Sequence, residues 1–295
     1  MKVFITGGNG FLAQHLAVFL YNKGFEVHCS YRINGQKFTN STVHYHFLEL
    51  TDVSSLNKII NTLKADVIIH SAAMSKPDEC ENDHAACLLN NLTVTKNLIK
   101  AAEKISAHFI YISTDFIFGE NGPHSETAIP DPLNFYGSSK LLAETAVKFS
   151  SLLYTVVRPV FIYGAQMEYM RSSFLQWVQQ NLLLGKTIKV VNDQFRTPTF
   201  VIDICWGIEQ IILLKKQGEY HLAGKDICTP YSMAVTIAKV LDLNVQLIEE
   251  VNSSNFPEPV IRARKSGLKI DKAIKELNYN PHSFEEGVRK SFNVE

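Results

Sequence analysis

The sequence predicts an α/β protein built on a doubly wound parallel sheet, followed by a smaller C-terminal α+β lobe. Two observations carry this prediction. Short apolar segments alternate with helical segments through the first half of the chain, and the alternation loosens after about residue 160. Strands that are separated by helices imply right-handed βαβ crossovers, and such crossovers build a parallel sheet. The fold class therefore follows from the order of the elements.

The first 160 residues contain the alternating elements. Short apolar runs predict buried strands, and apolar residues at helical spacing predict the helices between them. The predicted strands are Lys2–Thr6, Phe25–Ser30, Val43–Leu50, Asp66–Ala73, Ala107–Thr114 and Tyr154–Val160. The predicted helices are Phe11–Gly24, Val53–Lys64, a long one from about Cys80 to Lys104, and one that carries Tyr136. We assign residues 1–160 to the sheet domain.

Residues 161–295 are assigned to the second lobe, with the chain free to cross back between the two. Helices are predicted near Met170–Leu184, Ile202–Lys215 and Ser232–Leu241, and short strands at Thr187–Val191, Glu219–Ala223 and Val245–Glu250. No flexible linker separates the halves, so the lobes are expected to share a cleft. A substrate is expected to bind through this smaller lobe.

The composition is that of an ordinary globular chain, 46% hydrophobic and 20% charged, with a formal net charge of zero over 295 residues. A chain without net charge has no field that attracts nucleic acid or an anionic membrane, so neither is an expected partner. The five cysteines are scattered, and no apolar run approaches the ~18 residues of a membrane helix. We expect a cytoplasmic protein.

A glycine-rich turn, TGGNGFLA (Thr6–Ala13), joins the first predicted strand to the first predicted helix. Gly7 permits a tight turn, Gly10 lets the backbone approach a pyrophosphate, and Ala13 is small enough for the helix to pack on the strand. The helix N-terminus offers unpaired N–H groups to the phosphates. The context is that of a Rossmann NAD(P)-binding domain. The predicted cofactor contacts are Gly7, Gly10, Phe11 and Leu12.

The end of the second strand indicates which nicotinamide cofactor is bound. In NAD-binding proteins an acidic residue at this point usually contacts the ribose 2′-hydroxyl. The sequence CSYRING has none and places Ser30 and Arg32 there instead. Because a guanidinium pairs well with a phosphate, NADP (as NADPH) is the predicted cofactor. NAD stays open as the alternative, with Arg32 as a solvated loop cation.

A second constellation lies at the end of the strand HFIYIST, on the edge where doubly wound folds bind ligands. Thr114 ends that strand, and Tyr136 lies on the next helix, four residues before Lys140. An ammonium beside a phenol lowers the phenol pKa toward neutrality. With nicotinamide in the same cleft, these groups can reduce a ketone. The alternative is a solvated tyrosine–lysine pair, which the glycine turn and the strand end disfavour.

Six segments together resemble the extended short-chain dehydrogenase/reductase family: TGGNGFLA, HSAA, NLTVTKNL, YISTDFIFGE, YGSSKLLAE and RPVFIYG. Within that family the chain is most similar to the dTDP-4-dehydrorhamnose reductases, through the block Ser113–Glu144 and through VVNDQFRTPTFVIDI (Val190–Ile204). The resemblance covers nearly the whole chain. It implies the NADPH-dependent reduction of the C4 ketone of a nucleotide-linked 6-deoxyhexose, a small-molecule nucleotide sugar.

The resemblance also implies roles for single residues. Tyr136 would donate the proton, Lys140 would bind the nicotinamide ribose and lower the pKa of the tyrosine, and Thr114 would hold the carbonyl. The remaining implied cofactor contacts are Glu49, Leu50, Ser71, Ala72, Ala73, Asn91, Ile112, Pro159 and Val160. The implied substrate contacts are Thr114, Asp115, Phe116 and Arg196.

Three residues depart from the reductase pattern. Phe116 stands where a tyrosine is usual, Arg196 where a glycine is usual, and Glu49 where an aspartate is usual. An arginine in that block also resembles the regulatory beta subunit of methionine adenosyltransferase, a non-catalytic relative that binds a partner. Two alternatives therefore stay open: another reductase or epimerase of nucleotide sugars, and an NADP-binding regulatory protein. Either is compatible with a homodimer.

The segment CENDHAAC raises the separate question of a metal site. It places Cys80, His84 and Cys87 on roughly one helical face. Structural zinc sites need four ligands, and the sequence offers no fourth one nearby. We therefore predict that these residues serve helix packing and that the protein has no metal site.

Overall fold

The computed structural model describes residues 1–32, 42–167, 170, 172–256 and 259–294. The strands β1 to β11 are, in order, Lys2–Thr6, Glu26–Tyr31, His44–Phe47, Val67–His70, His108–Ile112, Tyr154–Arg158, Ile162–Tyr163, Ile188–Val191, Thr199–Phe200, Gly218–His221 and Ile248–Val251. The helices α1 to α11 are Phe11–Asn22, Val53–Leu63, Pro77–Asn82, His84–Leu88, Val94–Glu103, Phe135–Lys148, Phe174–Leu183, Val201–Leu213, Pro230–Val240, Asp271–Leu277 and Phe284–Phe292.

Seven of these strands form one parallel sheet in the order β10–β6–β5–β4–β1–β2–β3. Ile5 of β1 lies opposite Cys29 of β2 on one side and opposite Ile69 of β4 on the other. The direction of strand addition reverses between β1 and β4. The predicted doubly wound class is confirmed, and a ligand crevice is expected at this reversal, beyond the carboxyl ends of the strands.

Helices cover both faces of the sheet because β1 alternates apolar side chains between them. Ile5 faces the layer of α1, α8 and α10, in which Leu16 and Ile208 are fully buried. Phe4 faces the opposite layer of α2, α5 and α6, where it joins the buried Leu98. A parallel sheet needs both faces covered, and these two cores supply that cover.

The chain crosses back into the sheet domain in its second half, so residue 160 is not a strict boundary. β10 pairs in parallel with β6, with Tyr220 opposite Val157. α8 packs along α1, and its Ile204 and Ile211 are fully buried in the core on that face. The local pattern predicts the type of each element but not which element it packs against.

The long helix predicted from about Cys80 to Lys104 is interrupted, so the prediction of one continuous helix is wrong. Asp83 ends α3 and caps α4, because its Oδ1 accepts a hydrogen bond from the Ala86 N–H at 2.9 Å. A π-helical turn, Leu89–Thr93, then precedes α5. Neither a side-chain cap nor one wide turn disturbs the apolar spacing from which the helix was predicted.

The second lobe is a small α+β unit of α7, α9, α11, β8 and β11. β8 and β11 pair in parallel, with Val190 opposite Glu250. Leu175, Met233 and Val288 come from the three helices and are fully buried in one apolar cluster. Within the described ranges, none of the helices combines the length and apolarity that crossing a bilayer requires.

Candidate active site

A cavity of about 680 Å³ opens at the carboxyl edge of the sheet, within the size range of small-molecule and cofactor sites. It brings together most of the residues that the sequence singles out. The lining includes Gly7, Gly10, Phe11, Leu12, Arg32, Glu49, Leu50, Ser71, Ala72, Ala73, Ile112, Thr114, Asp115, Phe116, Tyr136, Lys140 and Pro159. The other three predicted contacts, Asn91, Val160 and Arg196, lie behind or beside this wall.

The β1–α1 turn forms one end of the cavity. Gly7 has a φ of 75°, and a Cβ at this position would lie 2.9 Å from Cα of Ala72, so the turn requires glycine. The Gly10 N–H donates to the Gly7 carbonyl at 2.7 Å, and Gly10 precedes α1 without a side-chain cap. The first N–H groups of α1 are therefore available to a phosphate, and the turn fits the pyrophosphate of a dinucleotide.

A buried hydrogen-bond chain fixes the backbone opposite the glycine turn. The His70 ring lies 2.8 Å from Oγ1 of Thr6 and 2.9 Å from Oγ1 of Thr95. Thr6 Oγ1 accepts hydrogen bonds from the N–H groups of Ser71 and Ala72 at 3.2 and 3.1 Å. Burial lowers the pKa of His70 to about 3, so the ring is neutral. These hydrogen bonds support the HSAA segment, of which Ser71, Ala72 and Ala73 line the cavity.

The end of β2 forms another part of the cavity wall. Ser30 is buried, and its Oγ accepts a hydrogen bond from the Gly7 N–H at 3.4 Å. Arg32 is exposed and lines the cavity, as do Glu49 and Leu50 beyond β3. The guanidinium therefore lies where an anionic group on a bound nucleotide can reach it. The residues that follow Arg32, 33–41, lie outside the described ranges.

Lys140 is almost completely buried on α6, with 3% of its surface exposed. Its Nζ donates to the Ile112 carbonyl at 2.8 Å and lies 4.2 Å from the centre of the Tyr111 ring. Burial lowers the pKa of Lys140 to about 7, although the nearby Glu144 carboxylate works in the opposite direction. The amine therefore changes charge near neutral pH, which is unusual for lysine.

Tyr136 precedes Lys140 by one turn of α6 and is also buried. Burial raises the pKa of Tyr136, the charge of Asp115 raises it further, and a hydrogen bond with Thr114 lowers it. The pairing with Lys140 predicts a lowered pKa, but in the structure desolvation dominates and the Lys140 ammonium is directed at Ile112. A buried phenol of this kind keeps its proton at neutral pH, which suits a proton donor.

Thr114 connects the tyrosine to a buried carboxylate. Its Oγ1 donates to Oδ1 of Asp115 at 3.2 Å and accepts from the Phe116 N–H at 3.2 Å. The Phe116 ring meets the Tyr136 ring edge-on, with 5.5 Å between ring centres. Thr114, Asp115 and Tyr136 are all less than a tenth exposed. The predicted catalytic groups therefore lie close together at the end of β5.

A smaller pocket adjoins the cavity across Asp115 and Phe116, which line both. Arg196 lines this smaller pocket. Its Nη2 donates to Oε1 of Gln194 at 2.5 Å, and its guanidinium lies 5.9 Å from the centre of the Phe161 ring. Burial raises the pKa of Asp115, and the positive charge of Arg196 works against that rise. Arg196 thus shares its pocket with a carboxylate of the protein itself, and its positive charge acts on that carboxylate.

The other two predicted contacts that do not line the cavity, Asn91 and Val160, support its wall from behind. Asn91 accepts from the Met74 N–H at 2.8 Å and donates to Oγ of Ser139 at 2.9 Å, which ties the loop after β4 to α6. Val160 is buried in an apolar cluster with Phe118. Neither side chain lines the cavity, because each packs behind its wall. The resemblance implies Asn91 both as the structural asparagine of the central helix and as a cofactor contact, and in the structure it supports the loop after β4.

Sequence reasoning missed several lining residues. Asn90 and Val94 face the cavity from the helical segment around the π turn, and Phe161 and Ile162 do so after β6. The spacing of Asn90 and Val94 was a usable signal, because residues four apart share a helical face. Phe161 carries a positive φ of 37°, a strained value for an aromatic residue that local sequence does not reveal.

The CENDHAAC segment packs behind the tyrosine. Cys80 and Cys87 are fully buried in an apolar cluster with Tyr136. His84 stacks on Phe135, with 3.6 Å between the ring centres. Across the part of the chain that the structure describes, no group of three or more His, Cys, Asp or Glu side chains is placed to hold a metal ion. Packing accounts for this pattern.

Ketone reduction by nicotinamide on a doubly wound sheet needs a pyrophosphate-binding turn and a proton donor at the same sheet edge. Here the β1–α1 turn has the geometry that the first requires, and Tyr136, a phenol one helical turn before Lys140, lies on the wall of the same cavity. The fold and the site together define an extended short-chain dehydrogenase/reductase, a class of NAD(P)-dependent oxidoreductases.

Comparison with known proteins narrows the class. The chain belongs to the RmlD substrate binding domain family, whose model matches residues 1–295. The probable low-salt glycan biosynthesis reductase Agl14 of Haloferax volcanii is 28% identical over 97% of this chain and 95% of its own length. Methionine adenosyltransferase 2 subunit beta of Bos taurus is 31% identical over 90% of this chain and 78% of its own length.

Solved structures give the same fold. A dTDP-4-dehydrorhamnose reductase from Bacillus anthracis, crystallised with NADP, superposes with a TM-score of 0.86 at 25% identity, covering 99% of this chain and 98% of the other. The UDP-glucose 4-epimerase of Thermotoga maritima superposes with a TM-score of 0.87 at 22% identity, with the same coverage, and so shares the fold. The family resemblance inferred from the motifs is confirmed.

Proposed function

We propose that this protein catalyses the NADPH-dependent reduction of the C4 ketone of a nucleotide-linked 6-deoxyhexose. The observation that carries the proposal is that Thr114, Tyr136 and Lys140 line one cavity with the glycine turn. NADPH, when bound, supplies a hydride to the ketone carbon. Similarity to the Bacillus anthracis reductase with its bound NADP supports both the cofactor and the class of substrate.

In this proposal Tyr136 supplies the proton. Reduction of a ketone leaves negative charge on its oxygen, and a phenol that burial keeps protonated is ready to neutralise it. Lys140 lies one helical turn away and holds a positive charge below a pH of about 7. A buried cation beside a developing negative charge stabilises the transition state more than it would in water.

The surroundings of the site favour an uncharged sugar ring. An arginine directed at the sugar would favour an anionic sugar, but Arg196 lines the smaller pocket, where its positive charge acts on the carboxyl of Asp115. On the side of the cavity near Tyr136, the rings of Phe116 and Phe161 line the wall. These apolar faces suit the methyl carbon of a 6-deoxyhexose.

The experiment is to follow NADPH oxidation with dTDP- and UDP-linked 4-dehydro-6-deoxyhexoses. The wild type should turn over at least one of them, and Tyr136→Phe should lower kcat by about 10²- to 10⁴-fold through loss of the proton donor. Tyr21→Phe is the matched control, because Tyr21 is 41% exposed on α1 and should leave kcat unchanged. A wild type that reduces no nucleotide ketosugar would sink the proposal.

A second candidate function is suggested by the 31% identity to methionine adenosyltransferase 2 subunit beta. In that case the chain would bind NADP and regulate a partner enzyme. The two candidates predict different results for one variant: a regulatory effect on a partner would survive Tyr136→Phe, whereas ketone reduction would not. The intact Thr114, Tyr136 and Lys140 set favours the reductase.

A further inference from the structure

Asp115 is a buried carboxylate next to Thr114 at the end of β5. It is 6% exposed and forms part of the wall between the cavity and the smaller pocket. The charged or titratable groups around it are Tyr136 on the cavity side and Arg196 and Arg262 on the smaller pocket. A carboxylate in such a position needs a compensating charge, because burial of an unpaired charge is strongly unfavourable.

The Thr114 hydroxyl lies between this carboxylate and Tyr136. It donates to Oδ1 of Asp115 at 3.2 Å, and its proximity to the Tyr136 phenol lowers the pKa of Tyr136. A hydroxyl has a single proton, so Thr114 cannot donate to Asp115 and to a substrate carbonyl at the same time. An ionised Asp115 accepts the hydrogen bond of the Thr114 hydroxyl and so keeps the Thr114 proton directed at itself. A neutral Asp115 can instead donate to Thr114 Oγ1, which leaves the Thr114 proton free to donate elsewhere. The charge of Asp115 therefore decides which hydroxyls donate to the ketone.

Arg196 lines the smaller pocket together with Asp115, and several contacts hold it in place. Its backbone exchanges two hydrogen bonds with Cys228, at 2.9 and 2.8 Å. Its guanidinium is oriented by Gln194 and by the face of Phe161. Arg196 belongs to the segment between β8 and β9, and its positive charge favours the ionised form of Asp115.

We infer that Arg196 is a positioning residue for the proposed reaction: it keeps Asp115 ionised, and Asp115 then retains the Thr114 proton, so that Tyr136 alone donates to the ketone. The inference rests on the proposed function. It gives Arg196 a task in the hydrogen-bond network of the site rather than in binding an anionic sugar.

The first test follows the charge of Asp115 without any substrate. The carboxyl is titrated by ¹³C NMR in the wild type, Arg196→Gln, Arg196→Gly and Arg196→Lys, with Asp115→Asn used to assign the signal. Removal of the positive charge should raise the titration midpoint by at least about one pH unit in the first two variants. Arg196→Lys keeps the charge and should stay near the wild type. An unchanged midpoint in Arg196→Gln overturns the inference.

The second test follows the reaction with the ketosugar that the wild type reduces. In Arg196→Gln the acid limb of the kcat/KM profile should move to higher pH by the same interval as the titration midpoint measured by NMR. In the double variant Arg196→Gln with Asp115→Asn the acid limb should be absent. A merely structural role for Arg196 would lower kcat/KM equally at every pH. If the wild type reduces no ketosugar, the proposed function itself fails; if it does and the limb stays in place, only this inference fails.

Discussion

At the scale of single residues, Lys140 shows how burial changes the chemistry that a sequence motif promises. Its side chain is 3% exposed, and burial lowers its pKa from 10.5 to about 7. The same desolvation raises the pKa of Tyr136, so the motif yields a protonated phenol beside an amine that is half charged near neutrality. The pair is thus suited to giving a proton rather than to holding a phenolate.

The lowered pKa of Lys140 makes the stability of the protein depend on pH. Between about pH 7 and 10.5 the unfolded chain holds a proton that the folded protein has released, so this group's contribution to stability rises with pH. The rise should reach at most about 1.4 kcal/mol per pH unit. Urea unfolding of the wild type and Lys140→Met checks this: the wild type should gain stability relative to the variant across this range. A pH-independent difference would contradict the lowered pKa.

Arg32 is the residue on which the preference for NADPH should depend. Loss of a charge-assisted hydrogen bond to the 2′-phosphate should raise the KM for NADPH by about 10- to 100-fold in Arg32→Ala and leave the KM for NADH nearly unchanged. Arg289→Ala is the control, because Arg289 pairs with Glu285 on α11. Equal effects on the two cofactors would show that Arg32 does not contact the phosphate.

At the scale of elements, the position of α6 depends on a buried ion pair one turn beyond Lys140. Glu144 is fully buried and accepts from Nε and Nη2 of Arg158, at the end of β6, at 2.9 and 2.7 Å. His221 of β10 lies 3.2 Å from the same guanidinium, and burial lowers the pKa of His221 to about 3. The pair therefore joins α6, which carries Tyr136 and Lys140, to two strands of the sheet.

Glu144→Gln tests how much this ion pair contributes to the free energy of unfolding. The substitution leaves the Arg158 charge buried without a carboxylate, which should reduce the free energy of unfolding by about 3–5 kcal/mol. Urea unfolding of the variant measures the loss. Glu285→Gln on α11 breaks an exposed ion pair with Arg289 and should change stability little. A small loss in Glu144→Gln would mean that α6 is held by its apolar face alone.

The segment before α5 marks the limit of element prediction from sequence. Its apolar spacing indicates one helix, but Asp83 caps a new helix and Leu89–Thr93 widens into a π turn. The π turn contains Asn91, whose side chain ties Met74 to α6. Such turns often occur at functional sites, and here the interruption places Asn90 and Val94 on the cavity wall.

At the scale of the whole molecule, residues 261–265 near the C-terminus contact residues of the sheet domain through hydrogen bonds. Nη2 of Arg262 donates to both carboxylate oxygens of Asp78 at 3.1 Å. Asn134 donates to the Ile261 carbonyl at 2.9 Å, and the Glu120 carboxylate accepts two backbone N–H groups of the same segment. These contacts connect regions more than a hundred residues apart in the chain.

The Asp78–Arg262 ion pair should contribute modestly and in a salt-dependent way. The Asp78 side chain is 47% exposed, so solvent screens the pair, and Asp78→Asn should lower stability by about 1 kcal/mol or less. The loss should shrink at high ionic strength. Thermal unfolding of the wild type and Asp78→Asn at low and high salt checks this. Partial recovery in Asp78→Arg combined with Arg262→Asp would confirm the pairing, whereas a further loss would contradict it.

The sequence by itself determined the features that depend on local spacing. The glycine turn, the four-residue interval between Tyr136 and Lys140, and the alternation of strands with helical segments through residue 160 could all be read from it, although the helical segment before β5 is interrupted. Each is a property of a short stretch of chain, in which side-chain type and periodicity fix backbone geometry. The fold class and the family followed from these features.

Only the tertiary structure decided the features that depend on distant partners. It placed α8 and β10 in the sheet domain, raised rather than lowered the pKa of Tyr136, and put Arg196 beside Asp115 in the smaller pocket rather than in the larger cavity. Burial and charge pairing arise from residues far apart in the chain, and no local pattern encodes which of them meet. The motifs in the sequence therefore indicate which side chains form this site, whereas packing sets the charge states of those side chains.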